Sequence, residues 1–309
     1  MSAYIKKAMT FQKFMNDRGF GHQEIIFDEQ IHRFKPHGSK AKSAWYIAFR
    51  NLEFESGVVG DWKSGFKENF CSIEKSTLTQ EQRRQYAQEM AKKDEKNRID
   101  IIKRHLTAKD EVGKIWSEAS TKKLDNHRYL VNKKISPSNI RKNSDSDIVI
   151  PIYDSSRILW SLQTIKPNGI KLFHKGGKIN GCYHPIGFSN NILPQIILCE
   201  GYSTGSSIYQ ATGIPTAVCF SANNLESVAE SLRARYPNTK IIVAGDDDQF
   251  NSVNIGRNKS FIAAKKVNAS VIFPVFQDLS TQPTDFNDLH CLEGLETVRN
   301  QFMRVCDVF

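Results

Sequence analysis

The fold of this chain is decided by residues 195–248, where two apolar segments each end in acidic residues: QIILCEG at 195–201 and KIIVAGDDD at 240–248. Short, continuous apolar runs of this kind are typical of strands buried on both faces of a parallel sheet. Between them the pattern predicts, in order, a helix that ends at Thr212, a strand from Thr216 to Phe220 and a helix from Asn224 to Tyr236. The order βαβαβ predicts a doubly wound α/β sheet, whose ligands bind at the carboxyl ends of the strands.

Carboxylates follow two of these strands and should meet at that edge. Asp246 and Asp248 are two residues apart, so in an extended segment their side chains point the same way, and Glu200 ends the neighbouring strand. Carboxylates a few ångströms apart repel each other unless a cation lies between them, and Mg²⁺ prefers carboxylate oxygens while it shares its shell with phosphate. The cluster therefore predicts a divalent-metal site. A loop of aspartates that only caps the next segment is the alternative for Asp246 and Asp248 alone.

These residues resemble the TOPRIM domain that bacterial-type DNA primases share with topoisomerases and some nucleases. The phrases CEGYSTG at 199–205 and TDFNDL at 284–289 are most similar to the primases of phages and conjugative plasmids. Upstream, IVIPIYD at 148–154, the turn at 171–177 and KINGCY at 178–183 resemble the small basic subdomain that precedes TOPRIM in the primase catalytic core. Topoisomerases lack that subdomain.

The resemblance implies a DNA primase, a DNA-directed RNA polymerase (nucleotidyltransferase) that makes short RNA primers from ribonucleoside triphosphates on single-stranded DNA during phage or plasmid replication. In such an enzyme Asp246 and Asp248, with Asp285 or Asp288, would hold Mg²⁺ or Mn²⁺, and Glu200 would act as general base or as a further ligand. No GxxxxGK[ST] motif is present, so a replicative helicase is expected only as a separate partner. Two alternatives stay open: a TOPRIM nuclease that uses the same carboxylates and metals, and an accessory protein that binds single-stranded nucleic acid.

The chain is predicted to have three parts. These are a basic N-terminal domain at 1–142 with β-strands and a long helix, a small β-rich basic subdomain at 148–190, and a TOPRIM domain with a C-terminal helix at 194–309. Of the formal charge of +10, residues 1–150 carry +9, with 29 Lys and Arg against 20 Asp and Glu. A basic excess of this kind indicates a protein that meets a polyanion such as nucleic acid, although a solvated helical surface would give the same count.

Two groups of residues are candidates for nucleic-acid contacts. The first is a glycine-containing loop with Lys171, Lys175 and Lys178, which in the resembled catalytic core faces the acidic cluster and would contact phosphates. The second group is Trp62 and Lys63, which lie in a stretch of aromatic residues interleaved with lysines. Rings in such a stretch can stack on unpaired bases, but they can equally form the core of a small sheet.

Three further expectations concern the chain as a whole. The segment from Thr79 to about Ser120 predicts one or two long helices that pack through Ile101, Ile102, Leu106, Val112, Ile115 and Trp116. No run of 18 apolar residues and no signal-peptide pattern is present, which predicts a cytoplasmic protein. The six cysteines form no CxxC pair, so free, mostly buried thiols are expected and a zinc ribbon is not.

Overall fold

The computed structural model describes residues 9–39, 41–50, 54–72, 80–189, 193–251 and 253–305. The chain divides into two compact units, residues 1–97 and 98–309. The predicted three-part division at 142–148 and 190–194 stays a prediction. None of the helices within the described ranges combines the length and the apolar character that crossing a membrane requires. The five cysteines in those ranges are free, and three of them are buried; Cys306 lies outside the described residues.

The first unit contains a short helix and a four-stranded antiparallel sheet. The elements are helix α1 (Phe11–Asp17) and strands β1 (His32–Phe34), β2 (Ala44–Arg50), β3 (Glu55–Asp61) and β4 (Phe66–Cys71), paired in the order β1-β2-β3-β4. Side chains alternate between the two faces of a strand, so every second residue meets the helix. Phe11, Phe14 and Met15 of α1 form a core with Tyr46 and Phe70, among others. The predicted β-rich character of this region is confirmed.

A single long helix, α2 (Gln80–Glu118), follows. Its last turns pack through Val112 against Val149 and Leu162. The prediction that Ile101, Ile102 and Leu106 also pack was wrong, because these side chains are 44%, 48% and 48% exposed. Ile102 and Leu106 point away from the stripe that contains Val112, since the helix turns about 100° per residue.

The second unit begins with a small antiparallel sheet. Helix α3 (Arg128–Asn132) precedes strands β5 (Arg141–Lys142), β6 (Ile148–Tyr153), β7 (Leu159–Ile165) and β8 (Lys171–Phe173), which pair in the order β5-β6-β7-β8. The β-rich character predicted for residues 148–190 is confirmed from Ile148 to Phe173. The strand that follows, β9 (His184–Ile186), does not join this sheet but belongs to the next one.

The five-stranded sheet has the order β13-β12-β10-β11-β9, and β9 is its only antiparallel member among the described strands. Its other strands are β10 (Gln195–Cys199), β11 (Thr216–Val218), β12 (Lys240–Ala244) and β13 (Ser270–Ile272). The helices are α4 (Tyr202–Thr212), α5 (Leu225–Arg235), α6 (Ile255–Val267), α7 (Phe286–Glu293) and α8 (Leu295–Phe302).

Helices cover both faces of this sheet. Ile197 of β10 belongs to a core that includes residues of α4, α7 and α8, whereas its neighbour Ile196 belongs to a core with residues of α5 and α6. The doubly wound α/β fold predicted from the apolar runs is therefore confirmed. Where the sequence predicted one C-terminal helix, the structure has two, α7 and α8, which are separated at Gly294 with a φ of 89°. Residues 306–309 lie outside the described ranges.

Candidate functional site

The carboxyl ends of β10 and β12 bring the predicted acidic residues together. The two strands pair directly in parallel register, with Leu198 opposite Val243. Glu200 follows β10 at once, and Asp246 and Asp248 follow β12 after one glycine. The loop before α7 joins the same edge, because the backbone N–H of Asp247 donates to the carbonyl oxygen of Thr284 over 2.8 Å. We call Glu200, Asp246, Asp248 and Asp285 the acidic edge.

Burial and mutual repulsion make this edge electrostatically unfavourable. Burial, and then the charges of Asp248 and Asp285, raise the pKa of Glu200 to about 7, although a backbone hydrogen bond from Ala222 opposes them. Burial is also the main cause that raises the pKa of Asp246 well above its ordinary value, followed by the charge of Glu200. Each of these shifts means that the charged form lacks compensation inside the protein.

Two carboxylate oxygens of the acidic edge have no hydrogen-bond partner. Oε1 of Glu200 and Oδ1 of Asp246 are buried and accept no hydrogen bond. A buried oxygen of this kind needs a proton or a cation, and carboxylate oxygens are the ligands that Mg²⁺ prefers. The residues therefore suit a divalent metal. In the part of the chain that the structure describes, however, no three His, Cys, Asp or Glu side chains are already arranged to hold one.

Asp285 and Asp288, which the sequence could not distinguish, lie in different surroundings. Oδ1 of Asp285 accepts from the backbone N–H groups of Asn287 and Asp288, at 2.7 and 2.8 Å, and so caps α7. Asp288 accepts from the N–H of Thr284 and lies 3.7 Å from the ammonium group of Lys133. The charge of Asp285 raises the pKa of Asp246 more than that of Asp288 does. Asp285 is therefore the closer companion of Asp246.

The middle aspartate of the triplet is held away from the acidic edge. Asp247 forms an ion pair of 3.0 Å with Arg257 and accepts from the side-chain amide of Asn254 over 2.6 Å. Asn254 in turn accepts from the N–H of Asp248 over 3.1 Å. The guanidinium of Arg257 lies 4.3 Å above the ring of Phe273. Asp247 is thus neutralised, and the same contacts fix the loop that carries its two neighbours.

Gly256 completes this loop. Its N–H donates to Oδ2 of Asp248 over 3.1 Å, and a Cβ at this position would lie 2.5 Å from the carbonyl oxygen of Asp246. Sequence reasoning assigned no role to Asn254, Gly256 or Arg257. The available signal was an Asn just before a helix and shortly after the aspartates, since Asn is a favoured N-cap.

One predicted lysine lies near the acidic edge. Burial lowers the pKa of Lys171, and the charges of Asp285 and Asp246 oppose that shift, although the side chain itself remains solvent-accessible. Lys171 and Lys133 line one cavity of about 430 Å³, together with Arg128, Tyr129, Asn132, Pro167, Asn168 and Gly169. Lys133 was not among the residues predicted from the sequence.

The other predicted contact residues lie elsewhere. Lys178 places its ammonium group 4.9 Å above the ring of Trp160, and Lys175 is exposed; no contact of either with the carboxylates is found within the described ranges. Trp62 and Lys63 belong to the first unit. Trp62 stacks on Trp45, and Lys63 is exposed at the turn after β3. The roles of these four residues stay predictions.

Comparison with known proteins supports the resemblance. Residues 195–296 match the family model of the Toprim domain. Two Escherichia coli proteins, each named DNA primase TraC, are 37% identical over 143 residues and 38% identical over 133 residues. The alignments cover 44% and 41% of this chain but 10% and 12% of those proteins, so the chain spans about a tenth of the curated relatives it matches. The resemblance to TOPRIM-domain primases is confirmed.

Similar solved structures are more distant. The primase fragment of the bacteriophage T7 primase-helicase protein has a TM-score of 0.40 at 13% identity, and covers 56% of this chain and 69% of that one. The zinc-binding and RNA polymerase domains of the Aquifex aeolicus primase have a TM-score of 0.43 at 14% identity, with 86% and 80% covered.

Proposed function

We propose that this chain is a primase, an enzyme that joins ribonucleotides on a single-stranded DNA template by divalent-metal-dependent nucleotidyl transfer. The observation that carries the proposal is the pair of buried, unpartnered carboxylate oxygens of Glu200 and Asp246 at the edge of a Toprim sheet. Its similarity to proteins named DNA primase gives the reaction class.

The acidic edge would hold Mg²⁺ or Mn²⁺ through Asp246, Asp248 and Asp285. When bound, such ions neutralise the charge of a triphosphate and increase the acidity of the primer 3′-hydroxyl. A cation bound at this edge would favour the charged form of Glu200, which is the form that can accept a proton or ligate a metal. We assign Glu200 as general base or further ligand. Asp288, next to Lys133, would support the site from its rim.

Lys133 and Lys171 supply the positive charge that a triphosphate requires. They share one cavity, and both interact electrostatically with Asp285. Ammonium groups beside carboxylates would hold phosphate oxygens, and metal ions held by the carboxylates would supply further positive charge. We assign the incoming ribonucleotide's phosphates to this cavity, and contacts further along the nucleic acid to Lys175 and Lys178.

The biological setting is part of the same proposal. We propose priming in plasmid or phage replication in the cytoplasm; the similarity to a protein named DNA primase TraC supports the priming itself. A separate replicative helicase is a further proposed partner.

Incorporation of labelled ribonucleotides on several single-stranded DNA templates tests the activity. We expect a product that requires Mg²⁺ or Mn²⁺, and we expect Asp246→Asn to reduce it by at least about 100-fold, the upper range for the loss of a group that only supports a metal ligand. Asp278→Asn is the matched control, since Asp278 is exposed and bonds only locally to Ser280 among the described contacts.

The proposal fails if the wild-type protein makes no metal-dependent product, or if Asp246→Asn makes as much as Asp278→Asn. Cleavage of DNA or RNA in the absence of nucleotides, lost in Asp246→Asn, would instead identify a nuclease.

A further inference from the structure

The four-stranded sheet of the first unit has two chemically different faces. Strand register places Arg33 opposite Trp45, Trp45 opposite Gly60, and Gly60 opposite Lys67, so these four residues lie on one face. Helix α1 packs on the other face, through the core with Tyr46, Val59 and Phe70. We call the first the open face; it also carries Ile47 and Val58, which are only half-buried.

Charge is segregated between these faces. The acidic residues within the four strands are Glu55, Asp61 and Glu68, and all three lie on the helix face by register. Glu55 and Glu68 are also paired there, with Arg50 and Arg18. The open face carries the exposed cations Arg33 and Lys67 and no acidic strand residue. Its charge therefore suits a polyanion.

The open face also presents stacked rings. Trp62 follows β3 and stacks on Trp45 with ring centroids 5.6 Å apart and 28° between the planes. The guanidinium of Arg33 lies 4.4 Å from the centre of the Trp62 ring. Trp45 lies directly over Gly60, where a Cβ would meet its ring at 2.6 Å. Although it takes part in these contacts, Trp62 remains 42% exposed.

We propose that the open face binds single-stranded DNA, with a base stacked on Trp62 and phosphates held by Arg33, Lys63 and Lys67. Aromatic rings beside a basic groove are the means by which proteins hold unpaired strands, because every base has a face that can stack. The choice of DNA rests on the proposed template-directed function. Binding itself needs neither the metal nor the acidic edge.

Fluorescence anisotropy of the whole 309-residue chain with labelled oligo-dT, in EDTA and without nucleotides, tests this surface. Trp62→Ala should weaken binding by about tenfold or more, the range for the loss of one stacked base, while Trp62→Phe should retain most of it. Phe66→Ala is the matched control. Phe66 is 37% exposed, similar to Trp62, but it lies on the helix face against Phe20.

Salt dependence tests the phosphate contacts. Arg33→Gln and Lys67→Gln should each reduce the slope of log Kd against log salt by about 0.7, as expected for one phosphate of a single strand. Lys13→Gln, on the exposed side of α1, should leave the slope unchanged. Thermal unfolding of every variant checks that the sheet is intact.

The inference is overturned if folded Trp62→Ala binds oligo-dT as tightly as Phe66→Ala does. It is also overturned if duplex DNA or RNA binds more tightly than oligo-dT. A third contrary result would be that Trp62→Ala weakens the binding of a protein but not the binding of oligo-dT. These outcomes are independent of the proposed reaction, because Asp246→Asn should abolish synthesis and leave anisotropy in EDTA unchanged.

Discussion

The acidic edge of the five-stranded sheet and the open face of the four-stranded sheet hold charge in opposite ways. At the acidic edge, carboxylates are buried together, and Glu200 and Asp246 each keep an oxygen without a partner. At the open face, Arg33 and Lys67 stay in water, where a charge loses little solvation. The charged carboxylates of the acidic edge are unfavourable until a proton or a cation binds, whereas the charges on the open face are stable in the free protein.

This difference determines how each region should respond to change. At the acidic edge a small displacement alters several short interactions at once, since buried charges interact strongly. At the open face each exposed charged group adds separately to the free energy of binding, and salt weakens its contribution. We therefore expect large, cooperative effects at the edge and graded, additive ones on the face.

The largest expected effect concerns His184. Because burial is the main cause of its pKa shift, this residue measures the effect of burial without the repulsion present at the acidic edge. This imidazole is fully buried, with its two ring nitrogens 3.0 Å from the carbonyl oxygens of Pro151 and Ser138. Burial lowers its pKa to about 4, although these two carbonyl contacts oppose the shift. The unfolded chain binds the proton near its ordinary value of 6.5, so this contribution to stability is complete above that pH and is lost as the pH falls towards 4.

The predicted loss is about 3 kcal/mol over the whole titration, at roughly 1.4 kcal/mol for each pKa unit, and about 2 kcal/mol of it falls between pH 7.5 and pH 5. Urea unfolding of the wild type and of His184→Gln at pH 7.5 and pH 5 measures it: the variant should lose less stability than the wild type between the two. His37→Gln, at an exposed position, is the control. If the stability of all three proteins depends equally on pH, burial of the His184 imidazole does not reduce stability. Repulsion between carboxylates, rather than burial, would then be the main cause of the raised pKa values at the acidic edge.

The next effect tests how strongly primer synthesis depends on the positions of the carboxylates at the acidic edge. In Gly256→Ala the new Cβ would lie 2.5 Å from a backbone oxygen of Asp246, and backbone cannot move aside as a flexible side chain can. We expect primer synthesis to fall by about 100-fold, the effect of a displacement of about 1 Å, while oligo-dT binding in EDTA is unchanged.

Gly113→Ala, in helix α2, is the matched control, because a Cβ there meets nothing within 4 Å. It should leave synthesis unchanged and raise stability by about 0.5–1 kcal/mol through helix propensity. Full activity of a folded Gly256→Ala protein would contradict the cooperative behaviour expected of the edge.

The smallest effect concerns Arg257, which neutralises Asp247 without belonging to the acidic edge. In Arg257→Gln, Asp247 becomes free to compete for the metal and the loop loses one support. The Mg²⁺ concentration for half-maximal synthesis should rise about tenfold, the lower range for loss of a group that orients a ligand. Lys265→Gln, exposed on the same helix, should not change it. A lower maximal rate with unchanged Mg²⁺ dependence would place Arg257 in nucleotide binding instead.

The two regions also differ in how far the sequence could predict them. Glu200, Asp246 and Asp248 were placed correctly relative to one another because each follows a continuous apolar run, and parallel strands end at a common edge. The pairing of Asp247 with Arg257 was not predicted, because a side chain's partner across a loop leaves no periodic signal. Strand β9 was missed because three residues are too few to show a pattern.

At the open face the sequence indicated Trp62 and Lys63 but could not say which side of the sheet they occupy. A shift of one residue in register would move every strand side chain to the opposite face. The segregation of Glu55, Asp61 and Glu68 from Arg33 and Lys67 therefore became visible only with the observed pairing of the strands.

Asp285 performs two tasks with one carboxylate, since it caps α7 and stands beside Asp246. An ion that drew this carboxylate towards itself would change the hydrogen bonds of the Asn287 and Asp288 amides at the start of the helix. Their nuclear magnetic resonance signals and hydrogen-exchange rates would then report loading of the site directly, without substrate or turnover. If the proposed site binds a metal, these two amides would serve as a built-in probe of its occupancy.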